Sequence, residues 1–244
     1  MLAHVALRVR DRAASERFYR TTLGTLGYEP THERSDMVVW DDFAILEATP
    51  ERPPTRNVHI GFVAPTREHV DAFHRAGLEA GYRDDGAPGE RPQYKPDYYG
   101  SFLLDPDGNS AEAVHHGDCR RGGCIDHLWI RVRDLEAAHA FYLQIRHHTG
   151  LRPGNVWPQG RQLWGAWATF ALIDDGRPVT ENLHMAFPAP DRQTVHDFHA
   201  AAMQAGYESN GEPGERPQYI PGYYAAFVFD PDGNNIESVF RPGR

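Results

Sequence analysis

The sequence predicts an α+β fold built by duplication, with four strand–helix–strands modules in one chain. Residues 89–109 (GERPQYKPDYYGSFLLDPDGN) recur as residues 214–234 (GERPQYIPGYYAAFVFDPDGN), identical at 15 of 21 positions and 125 residues apart. Within each copy the apolar pattern passes from period two to helical spacing and back, twice over. Clusters of Gly, Pro and Asp punctuate these runs. Each half of a 244-residue chain is long enough to bury a core of its own.

The first copy opens with His4–Val9, a strand by its alternation, with Val5, Leu7 and Val9 on one face and His4, Ala6 and Arg8 on the other. His127–Val132 opens the second copy in the same way. Asp11 and Asp134 are candidate helix N-caps. Behind them Ala14, Phe18 and Tyr19, or Leu135, Ala138, Phe141, Tyr142 and Ile145, follow helical spacing, and Gly27 and Gly150 close the segments. Strands are expected at Met37–Trp40 and Phe43–Glu47, and at Leu163–Trp167 and Phe170–Asp174. The plan then restarts with strands at Asn57–Phe62 and Asn182–Phe187 and helices ending at Gly81 and Gly206. A Gly/Pro loop leads from each helix into the duplicated hairpin, where proline pre-sets φ and glycine completes the turn Asp105-Pro106-Asp107-Gly108. That turn fixes the position of Glu112, and its copy that of Glu237, on the returning strand.

Composition narrows the function. A formal net charge of −9 argues against a nucleic-acid partner. No apolar run reaches the length of a membrane span, and the N-terminus lacks the plan of a signal peptide, so a cytoplasmic protein is expected. Both cysteines, Cys119 and Cys124, fall in HHGDCRRGGC between the copies. With His115 and His116 they do not match a strong zinc spacing, and the stretch reads as a flexible linker with reduced thiols. The boundaries are then 1–116, a linker at 117–124, and 125–244.

Each module supplies one histidine on its first strand and one carboxylate on its last: His4 and Glu47, His59 and Glu112, His127 and Asp174, His184 and Glu237. A buried carboxylate needs a partner, and imidazoles with one or two carboxylates suit Fe, Mn, Ni, Co or Zn better than calcium. The competing reading makes each histidine a core residue satisfied by its acid. Tyr99 and Tyr224, among the hairpin tyrosines, and Arg91 and Arg216 are candidate substrate contacts, since guanidinium suits carboxylates. Packing for the tyrosines and salt bridges to Glu90 or Glu215 for the arginines are the alternatives. His69, His74, His196 and His199 read as solvated helix residues.

The HV-L-V…FY opening, the VHIGF and LHMAF strands and the PDYYGSFLLDPDGNSAEAV ending resemble the vicinal oxygen chelate superfamily of glyoxalases, bleomycin-resistance proteins and dioxygenases, in each half of the chain. The resemblance implies βαβββ modules paired into two half-open glyoxalase-like barrels, each cupping a divalent metal. It implies metal ligands at His4, His59 and Glu112, with Glu47 as a frequent fourth, and at His127, His184 and Glu237, with Asp174 in the fourth place. Modules pair either within a copy or across copies, the latter mixing His4 and Glu47 with His184 and Glu237. The implied activity is Lewis-acid catalysis on a small oxygenated substrate, of lyase, isomerase or ring-opening type, with Glu112, Glu237 or Glu47 as base. The alternative is a metal-independent antibiotic- or small-molecule-binding protein. A monomer or homodimer is expected.

Overall fold

The computed structural model describes residues 2–120, 122–165 and 169–242. The first module comprises β1 (His4–Val9), α1 (Arg12–Gly24), β2 (His32–Arg34), β3 (Met37–Trp40) and β4 (Phe43–Glu47), and the second β5 (His59–Val63), α2 (Arg67–Glu79), β6 (Arg83–Glu90), β7 (Tyr99–Leu104) and β8 (Ser110–His115). The third comprises β9 (Ile125–Arg131), α3 (Leu135–Thr149), β10 (Arg152–Trp157), β11 (Gly160–Trp164) and β12 (Thr169–Ile173), and the fourth β13 (His184–Pro188), α4 (Arg192–Gln204), β14 (Ser209–Glu215), β15 (Tyr224–Phe229) and β16 (Asn235–Phe240). Each module is therefore βαβββ, and the described strands fall into two open eight-stranded sheets.

The helices begin where the sequence places them. Asp11 accepts from the Ala14 amide, and Asp134 from those of Glu136 and Ala137. Gly150 ends α3 in the left-handed region at φ 72°, which a residue without Cβ adopts at no steric cost. Four strands, β2, β6, β10 and β14, had no counterpart in the apolar pattern. The Gly/Pro loops before the hairpins are edge strands, β6 pairing antiparallel with β7 and β14 with β15, both through register shifts. Bulged edges tolerate Gly86, Pro88 and Gly89, and without apolar alternation they leave no strand signal. Of the expected strand 163–167, residues to Trp164 are in β11, while Ala166 and Trp167 lie outside the described residues.

The chain divides into two units, Ala6–Trp129 and Met1–Val5 with Ile130–Arg244. The division follows strand pairing, which sets β9 of the second copy beside β5 of the first. The stretch 117–124 is anchored to the first copy. Cys124 is buried, its amide donates to Asp42 Oδ1 at 2.8 Å, and Arg120 is paired with Asp42 at 2.6 Å. In the unit Ala6–Trp129, β9, β5, β8, β7 and β6 are paired in that order. Its core seats Tyr19 of α1 against Trp40, Phe43 and Phe62, each aromatic contributing about 1.5–3 kcal/mol by burial. In the other unit Phe141 and Tyr142 of α3 pack with Tyr207 and Phe170.

The duplicated turn is a hydrogen-bonded knot. Buried Asp105 accepts from the amides of Asp107 and Asn109 through Oδ1, and from Tyr19 Oη and Asn109 Nδ2 through Oδ2. Asn109 accepts in turn from the Val58 amide and donates to the Thr55 carbonyl. Asp230, Asn234 and Tyr142 repeat the arrangement. These bonds tie the start of β5 to the start of β8, and so set the register that places Glu112.

Candidate metal centre

Gly61 lies at the middle of the site. On β5 it stands opposite Glu112 of parallel β8 and opposite His127 of antiparallel β9, with His59 two residues away on the same face. A Cβ at Gly61 would come within 2.2 Å of the His127 ring, and one at Gly100 within 2.5 Å of Glu112 Oε1. The two glycines make the space in which these side chains converge. His59 Nε2 is 2.9 Å from Glu112 Oε2 and 3.0 Å from His127 Nε2, and His127 Nε2 is 3.1 Å from the same carboxylate oxygen. Donors bound at right angles to one first-row divalent ion, each at about 2.1 Å, stand about 3.0 Å apart. The triangle fits that dimension.

The surrounding groups set which atoms face inward. Asp126 Oδ2 accepts from His127 Nδ1 at 2.9 Å. Ser110 Oγ donates to Asp85 at 2.7 Å and lies 3.1 Å from His59 Nδ1, so His59 donates to Ser110. Both neutral imidazoles thus carry their proton on Nδ1 and turn the Nε2 lone pair inward, the orientation that carboxylate-backed metal histidines require. Two lone pairs and a carboxylate converging at this distance call for a cation. Without a metal, a proton fills that role. Burial opposes charge on His127, but hydrogen bonds to Asp126 and Glu112 outweigh it and hold the imidazolium up at about 10. Burial likewise opposes ionisation of Glu112, yet its bonds to His127 and His59 bring it down to about 2. Tyr98 donates to Glu112 Oε1 at 2.6 Å, and burial together with that carboxylate keeps the phenol protonated. Glu112 so held is an ionised carboxylate of low basicity.

A divalent metal held by this triangle would displace the His127 proton. Its apparent affinity is expected to rise about tenfold per pH unit between roughly pH 6.5 and 9. Because the folded-state value of His127 lies above its ordinary one, the stability that this proton gives the metal-free protein is complete below pH 6.5. It is lost as pH rises through about 10. Metal titrations across this range check the slope; a flat profile would contradict the assignment.

A second triangle, in the other unit, is formed by His4, His184 and Glu237. His4 Nε2 is 3.1 Å from His184 Nε2 and 3.5 Å from Glu237 Oε2, while His184 Nε2 is 2.9 Å from Glu237 Oε2. Each triangle therefore mixes the copies: His127 of the second joins His59 and Glu112 of the first, and His4 of the first joins His184 and Glu237. A third group shares Asp126, whose Oδ1 is 3.2 Å from His116 Nε2, with Cys119 beside it. Burial disfavours the charged form of His116, but Asp126 and Cys119 hold the imidazole up at about 9.

Glu47 and Asp174 join none of these groups. Both are exposed at or just past a strand end, on the face of Phe43 and Ile45, or of Phe170, that packs against a helix. Period-two geometry aims them away from the histidines. Tyr99 donates to Asp71 and Tyr224 bonds His196, beneath Arg67 and Arg192, so Tyr98 and Tyr223 are the members of each pair that reach the carboxylates. Arg91 and Arg216 donate to carbonyls of their own strands, and the glutamates expected to hold them pair instead with Arg67 and Arg192. Arg91 stacks at 5.6 Å on Phe102, whose ring lies 5.8 Å from His59, and Arg216 stacks on Phe227. His74 and His199, expected in solvent, are buried against Asp84 and Ser209. Asp126, Asp85 and Arg241 were missed; each differs in type between the copies, which is the signal that would have found them.

The family model described as glyoxalase/bleomycin resistance protein/dioxygenase superfamily matches residues 1–113 and 124–238. The chain belongs to this superfamily. Among solved structures it is similar to glyoxalase I from Zea mays, with 18% identity, a TM-score of 0.70, and coverage of 98% of this chain and 92% of that one. A putative dioxygenase from Bacillus subtilis subsp. subtilis str. 168 has 13% identity, a TM-score of 0.69, and coverage of 99% and 85%. A glyoxalase/bleomycin resistance protein from Albidiferax ferrireducens T118 is 29% identical over 48% of this chain and 98% of its own, with a TM-score of 0.42. No curated protein matches. At these identities the likeness is one of fold. Among the described residues no helix is long and apolar enough to cross a membrane.

Proposed function

We propose that this superfamily member is a metal-dependent enzyme acting on a small oxygenated molecule, of lyase, isomerase or ring-opening type, at the centre formed by His59, Glu112 and His127. The observation that carries this reading is the triangle of donor atoms 2.9–3.1 Å apart with both imidazole lone pairs turned inward. Fe, Mn, Ni, Co or Zn suits two imidazoles and a carboxylate, and when bound the ion supplies a Lewis acid that polarises substrate oxygens.

The chain's own residues do the rest. Asp126 and the Ser110–Asp85 relay hold the two imidazoles in orientation, and Tyr98 fixes the carboxylate. Trp129, 5.3 Å from the His59 ring and 5.5 Å from that of Tyr94, gives the substrate a flat apolar wall. Arg91, behind Phe102, brings positive charge toward the same side, which favours an anionic or enolisable substrate with a planar body. The protein loaded with Co(II) is expected to bind a bidentate oxygen ligand such as a hydroxamate with a change in its visible spectrum, and His59→Ala to abolish that change. Hydroxamate binding that survives His59→Ala would support the metal-independent binding protein instead. A protein purified without chelator that takes up no divalent metal would end the enzyme reading.

A further inference from the structure

The two triangles are related by duplication, yet the groups around them are not equivalent. Resting on the metal reading above, we propose that only the His59/Glu112/His127 centre takes a divalent ion, and that Arg241 stands in the cation's place at the His4/His184/Glu237 centre.

Three differences carry this. The first concerns the proton on the first-strand histidine. His127 donates its Nδ1 proton to Asp126, but the corresponding position before His4 is Ala3. His4 Nδ1 instead lies 3.0 Å from Arg241 Nη2. A guanidinium only donates, so His4 Nδ1 accepts. The neutral ring therefore carries its proton on Nε2, the atom aimed at His184 and Glu237. A metal would need a lone pair there, and turning the tautomer round would set an N–H against the guanidinium.

The second difference is space. Gly61 and Gly100, whose absent Cβ atoms admit His127 and Glu112, correspond to Ala186 and Ala225. The second triangle is correspondingly looser, its longest edge 3.5 Å against 3.1 Å.

The third is charge. His116, bonded through Asp126 in the first unit, corresponds to Arg241, which also lies over the Tyr223 ring at 4.9 Å. The relay Ser110–Asp85 corresponds to Asn235–Asn210, so both outer carboxylates of the first centre are replaced by neutral groups. A fixed positive charge repels a divalent ion, and loss of outer carboxylate partners alone lowers metal affinity on the order of 10- to 100-fold.

The test is metal stoichiometry on the full chain by equilibrium dialysis with Co(II) and elemental analysis, with far-UV circular dichroism to establish that each variant is folded. Wild type is expected to hold one equivalent, Glu112→Gln none and Glu237→Gln one. His59→Ala repeats the first test if Glu112→Gln fails to fold. Ala186→Gly/Arg241→His, which copies two residues of the first centre into the second, is expected to admit a second, weaker equivalent that is lost again on adding Glu237→Gln. Two equivalents in wild type would overturn the proposal, as would one equivalent that survives Glu112→Gln and is lost in Glu237→Gln. Failure of the copying variant to gain metal would overturn the role given to Arg241. No uptake by wild type would overturn the metal reading itself, and this inference with it.

Discussion

Gly61→Ala is expected to lower divalent-metal affinity on the order of 100-fold or more while leaving the protein folded. The added methyl would stand 2.2 Å from Cε1 and 2.4 Å from Nδ1 of His127, well inside van der Waals contact. The ring cannot retreat easily: it is 3% exposed, bonded to Asp126, and neighboured by Tyr98 and Trp129. It must leave the triangle, and removing a ligand costs more than the 10- to 100-fold lost with an outer partner. The fold should tolerate the change, because Ala186 occupies the equivalent place on β13, opposite Glu237. Calorimetric titration with metal alongside thermal unfolding separates the two effects. Wild-type affinity in Gly61→Ala would mean that His127 is not a ligand.

Asp105→Ala is expected to cost about 3–4 kcal/mol of folding free energy, a large part of the roughly 5–15 kcal/mol that holds a domain together. Four donors lose their acceptor: the part-buried Asp107 amide and, in a buried setting, the Asn109 amide, the Asn109 side chain and the Tyr19 hydroxyl. The losses are not independent, so the total falls below their sum. Tyr19→Phe removes a single one of these bonds and should cost about 1–2 kcal/mol. Urea unfolding of both variants gives the comparison, and a loss below about 1 kcal/mol for Asp105→Ala would show that the knot is not what holds β5 to β8.

Much of this architecture was legible in the sequence, for identifiable reasons. The strands with apolar alternation, the Asp caps and the hairpin turn rest on local chemistry, and they stand where periodicity and capping rules place them. The edge strands β6 and β14 did not show, because Arg83–Glu90 and Ser209–Glu215 present no apolar face and pair through bulges. Six of the eight histidines and carboxylates chosen by positional equivalence do gather into triangles. Glu47 and Asp174 do not, and the reason was already visible: Glu47 shares parity with Phe43 and Ile45, the face that feeds the core beneath α1. Which histidine meets which glutamate was not legible, since strand order is a property of the sheet and not of any local stretch. Tyr98 and Tyr99 are equally opaque in sequence, as adjacent residues at the start of β7 with opposite destinations.

The crossing of the copies has a consequence for how such a chain can change. Neither repeat owns a complete donor set, so deleting either one dismantles both triangles at once. Duplication here did not yield a spare that was free to decay. The second triangle draws on both copies as the first does, whatever chemistry it retains. Its side chains remain open to substitution, and Ala186, Ala225 and Arg241 mark where the two have parted.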